Sequence, residues 1–118
     1  MKVSRDNVIR GVKEYIAREI APRLGGFNAF ALYFVLPSLD NRIGTYFDKF
    51  SQNDMFSEFF SGDFVELDMV RSRAKEAMKK TGGKLHTNFC NTDICLTESD
   101  VDMLYSLMGG FANDTHIK

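Results

Sequence analysis

The chain of 118 residues has no tryptophan, two prolines, two cysteines and two histidines, and its net charge is −1. Two cysteines are too few for a disulfide-stapled scaffold and are typical of a protein in the reducing cytosol. Charges of both signs are spread along the chain, so nucleic-acid binding is not expected. The sequence also lacks a glycine-rich phosphate loop, and it offers little material for Cys–His catalysis. We therefore expect no enzymatic activity and no cofactor.

Long hydrophobic runs are also absent. The most apolar stretch is FNAFALYFVLPSL, which Gly25-Gly26 precedes, Pro37 interrupts and Asp40 follows. Spanning a bilayer takes about twenty consecutive apolar residues, and shorter runs are typical of buried helices. The stretch therefore predicts a buried helix, with a partner-binding or membrane-interfacial segment as the alternative. The charged N-terminus MKVSRDNVIRGVKEYI lacks the apolar segment of a signal peptide, which favours a cytoplasmic location.

Apolar residues at helical spacing predict most of the secondary structure. The first predicted helix is capped by Ser4 or Asp6 and ends near Ala21-Pro22, and the second is capped by Asn28 and ends at Pro37. The third covers about 39–50, and the fourth is a short helix that begins at Asp54 and continues through MFSEFF. The fifth runs from Glu66 or Asp68 to Thr81-Gly82-Gly83. The segment KLHTNFCNTDICLT alternates instead, which predicts a β-hairpin near 84–97 with Asn91-Thr92 at its turn.

A last helix is predicted after Thr97-x-x-Asp100, a pattern similar to a capping box, and it is predicted to end at Gly109-Gly110. The predicted fold is therefore mostly α, of the α+β class. It is a compact bundle of five to six short helices with one small hairpin. Residues 1–110 are expected to form a single helical domain, and residues 111–118 a loose tail.

The segment YFDKFSQNDMFSEFF, residues 46–60, contains an excess of aromatic side chains. Two short helices cannot turn every such ring inward and still keep their opposite faces hydrated. Aromatic and methionine side chains are favoured at protein interfaces, so the segment predicts either a surface that binds a protein partner or pure core. The candidate partner-binding residues are Tyr46, Phe47, Phe50, Met55, Phe56, Phe59 and Phe60.

The predicted hairpin carries His86, Cys90 and Cys95, and His116 lies in the predicted tail. Imidazole and thiolate are ligands of tetrahedral zinc, but four residues separate the cysteines where the common zinc knuckle has two. Three states are therefore open: unmodified thiols, a zinc site, or a disulfide between Cys90 and Cys95 across the hairpin. A catalytic Cys–His pair would also have to come from these residues.

Two clusters of charge have simpler explanations. Arg71, Lys75 and Lys79 fall on one face of the fifth predicted helix, which also carries acidic residues, so this face is predicted to be solvated. Carboxylates crowd the start of the last helix, at Glu98, Asp100 and Asp102, where the helix dipole favours negative charge.

The two ends of the chain resemble those of small uncharacterised proteins encoded in prophages of Gram-positive bacteria. The N-terminal pattern I-x-x-Y-I-x-x-E-I-x-P is matched here at Val12, Tyr15, Ile16, Glu19, Ile20 and Pro22, and the C-terminal pattern L-T-x-S-D-V-D-x-L at Leu96, Thr97, Ser99, Asp100, Val101, Asp102 and Leu104. The resemblance covers about a third of the chain and excludes the phenylalanine-rich segment and the hairpin. It implies a phage origin and carries no known activity or catalytic residues.

Two functional hypotheses follow. The first is a non-enzymatic, phage-related protein that binds another protein, either as an accessory to particle assembly or as an inhibitor of a host protein. The second is a regulatory module stabilised by zinc at His86, Cys90 and Cys95.

Overall fold

The computed structural model of the chain describes residues 1–89 and 92–117, without the side chains of Phe27, Tyr33, Phe89 and residues 112–117. The described residues form a compact globule of five α-helices and five short strands, which confirms the predicted α+β class. In chain order the elements are β1 (Lys2–Ser4), α1 (Arg5–Tyr15), α2 (Gly26–Val35), α3 (Leu39–Ser51), β2 (Phe60–Ser61), β3 (Phe64–Glu66), α4 (Leu67–Lys79), β4 (Lys84–Phe89), β5 (Thr92–Thr97) and α5 (Glu98–Ile117).

Helix α1 begins where the sequence predicts. Ser4 is extended, and its Oγ accepts a hydrogen bond from the backbone N–H of Asn7 at 3.3 Å, which satisfies one free amide of the first turn. The helical backbone then widens into a π turn over Ile16–Ile20 and tightens into a 3-10 turn over Ala21–Arg23. Pro22 lies in that last turn, and the extended Leu24 ends the helix.

A three-stranded antiparallel sheet was not predicted. Its strand order is β1-β3-β2, and Val3 pairs with Val65 at its centre. The predicted helix over MFSEFF is wrong: its residues form one 3-10 turn, Ser57–Phe59, followed by β2. Gly62, with φ of 59°, allows the tight connection from β2 to β3. The chain therefore turns into a sheet where the aromatic pattern suggested another helix.

The second sheet is the predicted hairpin of β4 and β5. Its antiparallel register runs from Lys84 opposite Thr97 to Phe89 opposite Thr92. Thr92 therefore belongs to β5 and not to the predicted turn. Asn91, the other residue of the predicted turn, lies outside the described part of the chain, as does Cys90.

The last helix is longer than predicted. Thr97 donates its backbone N–H to Asp100 Oδ2 at 2.8 Å, which is the cap that the sequence indicates. The helical backbone then continues through Gly109 and Gly110 to Ile117, so the predicted end at the glycine pair is wrong. The backbone of 111–117, predicted as a loose tail, is helical.

Helix α1 lies between α5 and α3, and a glycine permits each close approach. A Cβ on Gly11 would lie 2.7 Å from Met108 Cγ of α5, and a Cβ on Gly44 of α3 would lie 2.5 Å from Arg5 Nη2. The buried apolar residues form two clusters, and Leu104 of α5 packs against both. The first contains Val3, Phe47, Phe59, Val65, Leu67 and Met108, and the second Tyr15, Ile20, Ala21, Leu24, Leu32 and Ile94.

Candidate partner-binding surface

Four aromatic rings of 46–60 form one continuous strip. Tyr46 stacks on Phe50 with centroids 6.4 Å apart, and Phe50 meets Phe56 edge-to-face at 5.3 Å. Phe56 then lies 6.4 Å from Phe59, which is buried in the first core cluster. Such pairs add about 0.5–1.5 kcal/mol each beyond the area they bury. The strip therefore runs from the solvent at Tyr46 to the core at Phe59.

Burial divides the seven predicted partner-binding residues into three groups. Tyr46, Phe50 and Met55 are 61%, 44% and 76% exposed, and Phe56 and Phe60 are half-buried. Phe47 and Phe59 are buried, so their assignment to a partner surface is wrong: they are core residues. We name Tyr46, Phe50 and Met55 the aromatic surface. Two of the seven residues are therefore core, and partner binding by the exposed ones stays a prediction.

Ion pairs with α1 fix the orientation of α3, which carries two residues of the aromatic surface. Arg5 donates to both carboxylate oxygens of Asp48, at 2.9 and 3.1 Å, and this lowers the pKa of Asp48. Further along α1, Lys13 Nζ lies 2.6 Å from Asp40 of α3. Because residues four apart share a helix face, these contacts hold one side of α3 against α1. Phe47 then faces the core, and Tyr46 and Phe50 face outward.

The size of the aromatic surface is compatible with a binding role. At about 200 Å² for each fully exposed side chain, the three residues present roughly 350 Å² of mostly apolar area. The largest apolar patch on a typical monomer is about 300–600 Å² and is often functional. A standard interface buries about 800 Å² per partner, so a partner would also have to cover the neighbouring residues.

A second pair of exposed rings lies on α2, and the sequence analysis missed it. The prediction that 27–39 forms a buried helix is correct for Leu32, which is fully buried. It is wrong for Phe30 and Phe34, which are 61% and 72% exposed. Their centroids are 5.1 Å apart, in an edge-to-face arrangement. The i, i+4 spacing of the two phenylalanines opposite Leu32 was the available signal. In the described part of the chain, no helix has the length and apolarity needed to cross a membrane.

A groove of about 1140 Å³ follows the seam between α1 and α3. Its charged lining is balanced, with Arg5, Asp6, Arg10, Lys13, Glu14 and Asp40. Arg5 and Lys13 are committed to the ion pairs across the seam, and the Arg10 guanidinium lies 4.0 Å from the centroid of the Phe111 ring. Neither histidine nor cysteine lines this groove, so it offers no imidazole base and no thiol nucleophile.

The predicted metal and disulfide site has a different geometry from that expected. The register places His86 directly opposite Cys95, so the cross-strand neighbour of Cys95 is a histidine. Cys90 lies outside the described residues, and so does the side chain of His116. Cys95 is a free, half-buried thiol. Among the residues that the structure describes, no group of three His, Cys, Asp or Glu side chains could hold a metal ion.

The carboxylate of Asp100 is buried where the two terminal motifs meet. It accepts hydrogen bonds from the Tyr15 hydroxyl, from both terminal nitrogens of Arg23, at 2.6 and 3.3 Å, and from the Thr97 amide. Burial raises the pKa of Asp100, but these hydrogen bonds outweigh it and bring the pKa down to about 2. Burial also raises the pKa of Tyr15. Asp100 is therefore a structural anion as well as a capping residue.

Asp102, which the sequence analysis explained by the helix dipole alone, also forms ion pairs with α4. Arg71 Nε and Lys75 Nζ of α4 each donate to it at 2.9 Å, and the hydrogen bond from Lys75 in particular lowers its pKa. Two of the three cations predicted to form a solvated face are thus paired with α5. The carboxylates near the start of α5 fasten this helix to α1 and α4, and we assign them no catalytic role.

Comparison of the chain with models of known protein families gives no match, and neither the curated proteins nor the solved structures include a significant match.

Proposed function

We propose that this protein is non-enzymatic and acts by binding another protein through the aromatic surface of Tyr46, Phe50 and Met55. The observation that carries the proposal is the strip of rings from Tyr46 to Phe59, because each exposed ring packs on the next and the last one is buried. A rigid aromatic side chain loses little conformational entropy on binding, and such residues are enriched among those that dominate binding energy.

The biological setting is part of the proposal and follows from the resemblance of the terminal blocks to prophage-encoded proteins. In that setting the partner is a phage structural protein or a host protein in the cytoplasm of the infected cell. Tyr15 of the first block and Asp100 of the second are hydrogen-bonded to each other. The resembling residues thus belong to the scaffold, and the residues of the aromatic surface lie in the part of the chain that departs from the pattern.

The energy available from the aromatic surface sets the expected affinity. Burying roughly 350 Å² at about 25 cal/mol per Å² gives roughly 9 kcal/mol, and the lost freedom of association costs a comparable amount. The three residues alone would thus support only a weak complex. The half-buried Phe56, whose ring meets that of Phe50, and its other neighbours would supply the rest of the contact.

The test compares three forms of the protein, each recovered from infected host cells after crosslinking. They are the wild type, the triple variant Tyr46→Ser/Phe50→Ser/Met55→Ser, and the control Phe30→Ser/Phe34→Ser, which removes exposed rings from α2. We expect a defined protein to co-purify with the wild type and the control. Its affinity for the triple variant should fall about 30-fold or more, as for the loss of one binding hot spot of about 2 kcal/mol.

Three results would contradict the proposal. Equal recovery of the partner by all three forms would mean that the aromatic surface is not the interface. If only the control failed to recover the partner, the interface would lie on α2 instead. A strictly monomeric wild type that recovers no specific protein would remove the binding function itself.

A further inference from the structure

The β4–β5 hairpin has one face toward the core and one toward the solvent. Side chains alternate between faces along a strand, so the buried Ile94 and its neighbour Cys95 point in opposite directions. Ile94 is 2% exposed and belongs to the second core cluster. On the opposite face the side chains of His86 and Asp93 are 64% and 72% exposed. This outer face therefore presents His86, Asp93 and Cys95 together.

Two of these side chains are zinc ligands by chemistry and are neighbours by register. His86 lies directly opposite Cys95, and directly opposed residues of antiparallel strands have Cβ atoms about 4.5–5.5 Å apart. Imidazole and thiolate are the two ligand types most common at structural zinc sites. The register therefore places an imidazole and a thiol side by side on the outer face of the hairpin.

Asp93 is placed to fix the tautomer of His86 for zinc binding. Its Oδ2 lies 3.4 Å from His86 Nδ1, a separation that a small rotation of either exposed side chain reduces to a hydrogen bond. In zinc proteins a carboxylate commonly accepts the N–H of the non-ligating ring nitrogen, which fixes the tautomer and leaves the other nitrogen free for the metal. Here Asp93 would hold Nδ1–H, and His86 Nε2 would be the ligating atom.

Two ligands make up half of a tetrahedral structural site, and the described residues supply no third. We propose that His86 and Cys95 form a half-site for Zn²⁺ that the same two residues of a second copy of this chain complete. Two imidazoles and two thiolates give four ligands, and the thiolate charges balance that of the ion. A two-fold axis through the ion satisfies the symmetry of such a pairing, since each copy contributes the same surface.

The charges around the hairpin face are compatible with this pairing. Lys84 and Asp93 lie two residue pairs from the His86–Cys95 pair, on opposite sides of it, and carry opposite charges. In a two-fold arrangement the Lys84 ammonium of one copy is free to approach the Asp93 carboxylate of the other. The hairpin face is also separate in sequence from the aromatic surface, so zinc binding does not depend on the proposed function.

The experiment uses the full chain, first freed of metal with a chelator and then titrated with Zn²⁺. We expect half an equivalent of zinc per chain, with a zinc-dependent change from monomer to dimer in sedimentation equilibrium. With Co²⁺ in place of zinc, visible absorption typical of tetrahedral cobalt should appear together with a thiolate charge-transfer band. His86→Gln and Cys95→Ser should each abolish uptake and dimerisation, and Asp93→Asn should weaken zinc affinity about 10- to 100-fold.

The controls separate this site from the one within a single chain. Cys90→Ser and His116→Gln should bind zinc and dimerise like the wild type. One zinc per monomer, lost in either of these two variants, would overturn the proposal in favour of an intramolecular site. Absence of zinc uptake by the wild type would overturn it as well. The triple variant of the aromatic surface should retain zinc-dependent dimerisation, so that failure of one proposal leaves the other standing.

Discussion

Replacing Asp100 with asparagine should destabilise the protein strongly, and more at neutral pH than in acid. The carboxylate is only 7% exposed and accepts the paired hydrogen bonds of Arg23 together with those of Tyr15 and Thr97. An amide of the same shape turns one acceptor into a donor that faces a cation or a hydroxyl. Hydrogen bonds to charged groups contribute about 1.5–3 kcal/mol each, so we expect a loss of about 3 kcal/mol at pH 7.

The pH dependence follows from the pKa of Asp100. A fall of this pKa from 3.8 in the unfolded chain to about 2 in the folded protein corresponds to roughly 2 kcal/mol of stability at neutral pH. Because the folded pKa is the lower one, that stability is fully present above about pH 5 and is lost as the pH falls toward 2. In Asp100→Asn this contribution is absent at every pH, so the difference from wild type should shrink in acid.

The assay is urea denaturation followed by circular dichroism at several pH values between 7 and 2.5. Asp48 and Asp102 also have lowered pKa values and so also contribute stability that acid removes, but they do so in wild type and in Asp100→Asn alike. The matched control is Asp102→Asn, whose carboxylate is 42% exposed and should cost far less. If Asp100→Asn were no more destabilising than Asp102→Asn, or if its difference from wild type did not change with pH, our account of this anion would be refuted.

Two further predictions concern packing, and calorimetry or urea denaturation measures both. Gly11→Ala places its new methyl group against Met108 and should cost about 1–3 kcal/mol, whereas Gly110→Ala, with nothing within 4 Å, should be neutral or slightly stabilising. Equal effects would mean that α1 and α5 are not in close contact. Leu32→Ala should cost about 2–5 kcal/mol and Phe34→Ala far less, because only Leu32 is buried. A reversed order would mean that α2 presents its other face to the core.

The sequence predicted correctly those features of the fold that depend on residues close together in the chain. The cap at Ser4, the capping pattern before α5 and the apolar spacing of α3 are contacts within one turn or one helix face, and each was predicted correctly. The sheet of β1, β2 and β3 was missed because its strands are two or three residues long. That length is too short for an alternating pattern to be distinguished from a helix.

The candidate sites show the same division. Composition was enough to select the segment 46–60 and the hairpin with His86 and Cys95 as the places to examine. Periodicity could not decide that Phe47 is core and Tyr46 is surface, because that choice depends on which side of α3 packs against α1. The sequence also offered Cys90 as the neighbour of Cys95, and only the strand register placed His86 there.

The sequence by itself determined the helical class, most of the helix starts and the hairpin, because propensity, capping and periodicity act over a few residues. The tertiary structure alone decided which phenylalanines face solvent, which charges pair, and that Tyr15 meets Asp100 across 85 positions. Those outcomes depend on contacts between distant segments, whose free energies no short stretch of sequence contains.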